Sequence, residues 1–170
     1  MPASAEARLP RARWWATITA NPRGAVYGVI VATAVIAAAD TGNQPARITL
    51  AETVTTLLVF WLAHVYAELI ARGLHDGRRE LKAIPASMAK ELSMIAAPGL
   101  SILFLLLGTL GLLDEGVAVR LALWSGVVQL IGWGITVERR AGESWPAALL
   151  GGLVNGALGL VIVVLEVFLH

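Results

Sequence analysis

Three side chains at four-residue intervals offer the most suggestive chemistry in this chain. His64, Glu68 and Arg72 follow one another at the spacing of one helical turn, so a helix would place them on one face. Histidine exchanges a proton readily near neutral pH, and a ladder of imidazole, carboxylate and guanidinium can relay protons. Structural charge pairing near a helix end is the alternative. A metal site is not expected, because His64 and Glu68 supply only two ligands.

The composition limits the classes of function. Of the 170 residues, 57% are apolar and 15% are charged, which is too apolar for a soluble domain. The absence of cysteine excludes disulfides, thiolate metal sites and haem attachment. No nucleophile with a neighbouring base and no phosphate-binding loop is present, so neither an enzyme nor a cofactor is expected. A net charge of +1 gives no reason to expect a nucleic-acid partner.

The elements that position these residues are five apolar stretches of the length that crosses a bilayer, which is about 20 residues. They predict an all-α, polytopic membrane bundle of five transmembrane helices. The single membrane domain covers 21–170, after a tail, 1–20, that carries arginines and the interfacial pair Trp14 and Trp15. Asn21 and Pro22 form a helix start, and Pro98 is expected to kink the third span. The predicted spans are 22–40, 48–71, 93–113, 117–137 and 145–167.

The positions of the basic residues predict the orientation. Eleven of the 13 Lys and Arg residues lie before or at the start of the first span, in 72–92 and in 138–144, which are alternate connections. The positive-inside rule then places the N-terminus in the cytoplasm and the C-terminus outside. The surplus of arginine over lysine indicates a bacterial source, so the expected location is the bacterial plasma membrane. Segment 81–92 is either an interfacial helix or a solvated loop, and no chemistry is expected of it.

Distances along the spans bring scattered polar residues to one depth. At about 1.5 Å per residue, His64, Gln129 and Asn155 each lie about 12–13 Å from the inner boundary, with Ser101 and Thr33 slightly deeper. Polar groups at such depth face protein or water. The layer predicts a constriction or pathway for protons or small cations. Alternatively, its members form hydrogen bonds that only fix helix packing.

A second polar group is expected near the outer surface. Glu52, Arg120 and Glu166 come to similar depth, which favours an ion pair between Glu52 and Arg120. The remaining carboxylate would then attract cations into a water-filled vestibule.

Small residues recur at four-residue intervals in two spans. Such ridges let helix backbones approach closely, either within one bundle or between copies in a homo-oligomer. The ridges are Gly24, Gly28 and Ala32; Ala148, Gly152 and Gly156; and Ala147, Gly151, Asn155 and Gly159.

Two short strings, Phe60-Trp-Leu-Ala-His-Val-Tyr-Ala67 and Ser144-Trp-Pro-Ala-Ala-Leu149, the latter followed by Val154-Asn155, resemble segments of small integral membrane proteins of actinobacteria. Those proteins have no assigned activity, so the resemblance implies a single membrane domain and no catalytic residue. The preferred hypothesis is a proton or small-cation channel or transporter. The alternative is a membrane scaffold or accessory subunit whose polar residues only pack helices.

Overall fold

The computed structural model describes residues 21–41, 44–71, 85, 88, 89 and 91–169. Within these ranges the regular structure is entirely helical, which confirms the all-α prediction. The predicted tail 1–20, Arg72 and most of segment 81–92 lie outside the described residues.

Five helices form the bundle: α1 (Pro22–Thr41), α2 (Ala46–Ala71), α3 (Gly99–Thr109), α4 (Glu115–Arg140) and α5 (Trp145–Leu169). Four of them, α1, α2, α4 and α5, are long and apolar enough to cross a membrane. Helix α3 is apolar but has only 11 residues, which is about half the length of a spanning helix. The protein is therefore a multi-pass membrane protein with at least four candidate spans.

The helix starts follow the signals in the sequence. The side-chain oxygen of Asn21 accepts the backbone N–H of Gly24 at 3.2 Å, and Pro22 is the first helical residue, as predicted. Asp114 caps α4 in the same way, accepting the N–H of Val117 at 3.0 Å.

The predicted third span, 93–113, is divided rather than continuous. A helical stretch, 91–96, ends in a turn at Ala97 and Pro98, and α3 begins at Gly99. Proline has no N–H to donate to the carbonyl of Met94, four residues earlier. The Met94 carbonyl oxygen lies against Gly28 of α1, in the space that the Cβ of any other residue at position 28 would occupy. The expected kink is thus a break, and α1 provides a glycine where the freed carbonyl lies.

The divided segment reaches from the start of α1 to the first turns of α2 and α4. At one end, Glu91 is hydrogen-bonded to Asn21 at the start of α1. At the other end, Gly108 lies against Ala46 and Ala118, which are in the first turns of α2 and α4. The stretch 91–109 therefore connects the same two ends of the bundle as α1.

Helix α4 is central, with α1, α3 and α5 packed around it, whereas α2 lies at the edge against α1 and α3. The small-residue ridge of α5 faces α4, where Gly152 and Gly156 pack against Ile131. This ridge is therefore used inside one chain. The core consists of small and branched apolar side chains from four of the helices: Ile36, Ala37, Ala46, Leu105, Val119, Ala122 and Leu123.

The outer faces of α2 and α5 are covered with large apolar side chains. On α2 the exposed set includes Val59, Leu62 and Tyr66, with 58%, 56% and 66% of their surface exposed. On α5 Leu150 and Leu153 are similarly exposed. An apolar surface of this extent is unfavourable in water and suits contact with lipid.

Candidate functional site

A buried chain of hydrogen bonds joins α3 to α4. The side-chain amide of Gln129 donates to the hydroxyl of Ser101 at 3.0 Å, and the hydroxyls of Ser101 and Ser125 lie 2.9 Å apart. The hydroxyl of Ser125 also donates to the backbone carbonyl of Ala122 at 2.8 Å. Because a serine hydroxyl has one proton, Ser101 must donate to Ser125 in this arrangement. The chain ends on a backbone carbonyl, so its hydroxyl protons are all engaged.

Ser125 is a member of this cluster that the sequence analysis missed. It lies one turn before Gln129 on the same helix face, and this spacing was a usable signal. Gln129 donates a second hydrogen bond to the backbone carbonyl of Ser125 at 3.1 Å. Thr33 lies nearby, buried against Gly126, but its hydroxyl donates to the carbonyl of Val29 in its own helix at 2.7 Å.

His64 lies apart from this cluster, half-buried between α2 and α1. Its Nδ1 is 3.0 Å from the carbonyl oxygen of Phe60, which can only accept, so Nδ1 carries the proton in that hydrogen bond. The imidazole ring packs at 50° to the ring of Tyr27, with 5.0 Å between centroids. Glu68 is half-buried one turn further along α2. The predicted relay cannot be followed beyond it, since Arg72 is outside the described residues.

Asn155 occupies a third location, beside the crossing of α4 and α5. Its side-chain amide donates to the carbonyl of Gly151 at 2.9 Å. The same nitrogen lies 2.8 Å from the position that a Cβ would take at Gly134. The single polar layer predicted from depth is therefore divided among three helix contacts. Ser101 and Gln129 are brought together, whereas His64, Asn155 and Thr33 bond within their own helices.

The outer charged group differs from its prediction. Glu52 and Arg120 are both exposed, and the two side chains form no ion pair with each other, so that predicted contact is wrong. The helices that carry them touch only lightly, because α2 packs mainly on α1 and α3. Glu166 lies on α5, but its side chain is not among those that the structure describes.

A groove of about 480 Å³ opens between α1, α4 and α5. Most of its wall is apolar, and the polar side chains in its lining are those of Arg23, Tyr27, Glu138 and Asn155. Because Tyr27 also contacts His64, the imidazole lies directly behind this wall. The lining residues are Pro22, Arg23, Val26, Tyr27, Ile30, Gly134, Val137, Glu138 and Asn155.

Glu91 is a buried carboxylate in a segment from which no chemistry was expected. It is 5% exposed, and both of its oxygens lie 3.1 Å from the side-chain nitrogen of Asn21. Within the described ranges it is the only ionisable side chain that is fully buried. The hydroxyl of Ser93 nearby is also buried and has no hydrogen-bond partner. Glu91 follows a basic loop in sequence, and nothing in that pattern indicated its burial.

The hydrogen-bonded cluster, Glu91 and the groove differ in what they can do chemically. The cluster of Ser101, Ser125 and Gln129 is internally satisfied, Glu91 can hold a proton or charge, and the groove can hold an amphipathic ligand. Among the described residues, no three His, Asp or Glu side chains converge as metal ligands. No protein family, characterised protein or solved structure matches the chain.

Proposed function

We propose that the chain is a bacterial plasma-membrane protein that crosses the bilayer five times, with its N-terminus in the cytoplasm and its C-terminus outside. The divided stretch 91–109 supports a fifth crossing, because it extends between the same two ends of the bundle as α1. Arg139 supports the orientation: its guanidinium lies 4.7 Å from the ring centre of Trp145, at the end of α4. Tryptophan is enriched at both membrane interfaces, and arginine is enriched on the cytoplasmic side.

The best-supported function is that of a membrane scaffold or accessory subunit that does not itself transport ions. The observation that supports this function is the closed set of hydrogen bonds among Ser101, Ser125 and Gln129. Their donors are directed at one another and at backbone carbonyls, so these groups hold α3 against α4 rather than lining a wet path. Interhelical hydrogen bonds of this kind average about 0.6 kcal/mol each, a modest contribution to helix packing.

The exposed face of α2 is where such a subunit would meet a partner. Only 11% of the apolar stretch of α2 is buried within the bundle, against 50% for α4. Glu52 lies on the exposed surface of α2, about 9 Å from the first residue of the helix. A carboxylate at that depth is costly to leave in lipid, and a neighbouring protein helix would offer it a donor.

Proton or small-cation transport is the second candidate, and the break at Ala97 and Pro98 is the observation that favours it. In many secondary transporters, the ends of interrupted helices and their unwound carbonyls form the substrate and ion sites. Glu91 lies six residues before the break and is buried. A transport pathway would start from this carboxylate rather than from the layer around His64.

Flux measurements on the purified protein separate the two candidates. The protein is reconstituted into liposomes containing a pH-sensitive dye, and a potassium diffusion potential drives proton entry. We expect the native chain to give the same rate as empty liposomes. Proton or cation flux that is lost in Glu91→Gln or in His64→Ala, and retained in the exposed control Glu115→Gln, would refute the scaffold assignment. Circular dichroism and gel filtration establish that each variant is folded.

Site-specific cross-linking in native membranes tests the partner face directly. A photoreactive residue replacing Leu62 on α2 should give a defined adduct with one membrane protein. The same residue replacing Leu153 on α5, which is comparably exposed at 65%, serves as the matched control and should give lipid adducts only. Identical adduct patterns from both faces would contradict a dedicated partner surface on α2.

A further inference from the structure

The groove between α1, α4 and α5 has an amphipathic layout that neither candidate function uses. Arg23 and Glu138 lie at its mouth, near the start of α1 and the end of α4. Ile30 and Asn155 line its inner part. From Pro22 to Ile30 the groove follows eight residues of α1, which is about 12 Å along the helix axis. It thus begins at the level of the lipid headgroups and continues into the hydrocarbon region.

The two charges at the mouth are opposite in sign and do not neutralise each other. Arg23 and Glu138 both line the groove, but no ion pair joins them, and neither side chain hydrogen-bonds to another described residue. Glu138 is half-buried because its Cγ packs on Gly151. A Cβ at position 151 would lie 2.5 Å from that Cγ. A glycine at 151 therefore makes room for a carboxylate whose oxygens remain available to a ligand.

Beside its polar groups, the groove has apolar walls. Val26, Ile30 and Val137 contribute to them, and Val137, the chain neighbour of Glu138, is 37% exposed. Gly134, at the close crossing of α4 and α5, lines the groove beside Asn155. The volume of about 480 Å³ lies within the usual range for small-molecule sites. The site combines a cation, an anion and an adjoining apolar channel.

We propose that this groove binds one amine-bearing zwitterionic phospholipid, of the phosphatidylethanolamine class, from the adjacent leaflet. Arg23 would donate to the phosphate, Glu138 would accept from the primary ammonium, and an acyl chain would lie along Val26, Ile30 and Val137. The charge pattern selects this headgroup. A trimethylated amine has no N–H to donate to Glu138, and an anionic headgroup leaves that carboxylate without a counter-charge. The proposal holds whether the chain is a scaffold or a transporter.

Native mass spectrometry of the full-length protein measures the headgroup preference. The protein is released from nanodiscs containing equal amounts of phosphatidylethanolamine, phosphatidylcholine and phosphatidylglycerol, and bound lipids are counted. We expect phosphatidylethanolamine to be enriched in the native protein. Glu138→Gln should reduce its ratio to phosphatidylcholine about two- to five-fold, the range of one partly exposed ion pair. Arg23→Gln should reduce binding of all three lipids.

The matched control for Glu138→Gln is Glu143→Gln, which removes an exposed carboxylate in the turn after α4 and outside the groove. It should leave the lipid ratio unchanged. An unselective native protein, or equal ratios in the native and Glu138→Gln proteins, would overturn the proposal. Unfolding midpoints in detergent confirm that the compared variants are equally folded.

Photo-cross-linking identifies the occupant independently. A photoreactive residue at Val26 should yield an adduct with the mass of phosphatidylethanolamine, in excess over its share of the membrane. The same residue at Leu153, on the outer face of α5, should label lipids in proportion to their abundance. An adduct from Val26 to a second copy of the chain, or to a peptide from residues 1–20, would show that protein occupies the groove and would exclude the lipid assignment.

Discussion

Gly134 is a position at which a single added methyl group should have a large effect on the bundle. It lies where α4 crosses α5, and a Cβ built there would be 2.5 Å from the carbonyl oxygen of Gly151 and 2.8 Å from the Cα of Gly152. Both neighbours are backbone atoms, which cannot rotate away as a side chain can. Gly134→Ala therefore requires the two helices to separate.

The cost follows from the size of that separation. Ordinary contact with a Cβ begins at about 3.4 Å, so α4 and α5 must move apart by about 0.9 Å at the crossing. A gap of that size forfeits about a quarter to a half of the dispersion energy of each affected contact, including those of Gly152 and Gly156 with Ile131. Overpacking of this type costs about 1–3 kcal/mol, and we expect Gly134→Ala to lower the free energy of unfolding by that amount.

Reversible unfolding by SDS in mixed micelles, followed by fluorescence of the six tryptophans, measures this free energy. Gly132→Ala is the matched control: it lies on the same helix, and nothing comes within 4 Å of its built Cβ. Since alanine is the better helix former, that variant should be unchanged or more stable by up to about 1 kcal/mol. Equal stability of the two variants would refute the close crossing and the packing argument built on it.

Three further expectations concern other parts of the bundle. A double-mutant cycle between Ser101→Ala and Gln129→Leu should give a coupling of about 0.6 kcal/mol, and at most about 1.7, because the two side chains share one hydrogen bond. Glu91→Ala should lower the free energy of unfolding by about 1.5–3 kcal/mol, as it removes a charged acceptor from Asn21, and Glu91→Gln should cost less. In the cysteine-free chain, an impermeant maleimide applied to intact cells should label Leu112→Cys and leave Glu143→Cys unlabelled.

The double-mutant cycle and the stability measurement each have a control. Thr136, whose hydroxyl bonds only to the carbonyl of Gly132 in its own helix, should show no coupling to Ser101. Glu115, an exposed acid in the first turn of α4, should tolerate replacement by glutamine with little loss of stability. Strong coupling between Thr136 and Ser101 would contradict the specific hydrogen bond from Gln129 to Ser101. A Glu91→Ala variant as stable as the native protein would contradict the buried contact with Asn21. A reversed labelling pattern would contradict the proposed orientation.

Much of the architecture could be predicted, because it depends on properties local to the chain. Apolar runs of spanning length, the cap at Asn21 and the proline break at Pro98 are all set by neighbours within a few residues. The nearly constant rise per residue along a helix predicted one polar layer of His64, Gln129 and Asn155, with Ser101 and Thr33 slightly deeper. The structure joins Gln129 to Ser101, whereas His64 and Asn155 bond within their own helices. Distance along the chain does not determine which neighbour a side chain faces.

What the sequence by itself determined is therefore the helical class and the apolar, membrane-spanning character of the long helices. Only the tertiary structure decided which helices meet and how each is rotated about its own axis. Because of the helix neighbours and rotations, Glu91 is buried against Asn21, and Glu52 and Arg120 do not meet. The same arrangement forms the groove that Gly134 lines. The helix neighbours and rotations depend on contacts between segments far apart in the chain, whose close approaches are set by the shapes of both partners at once.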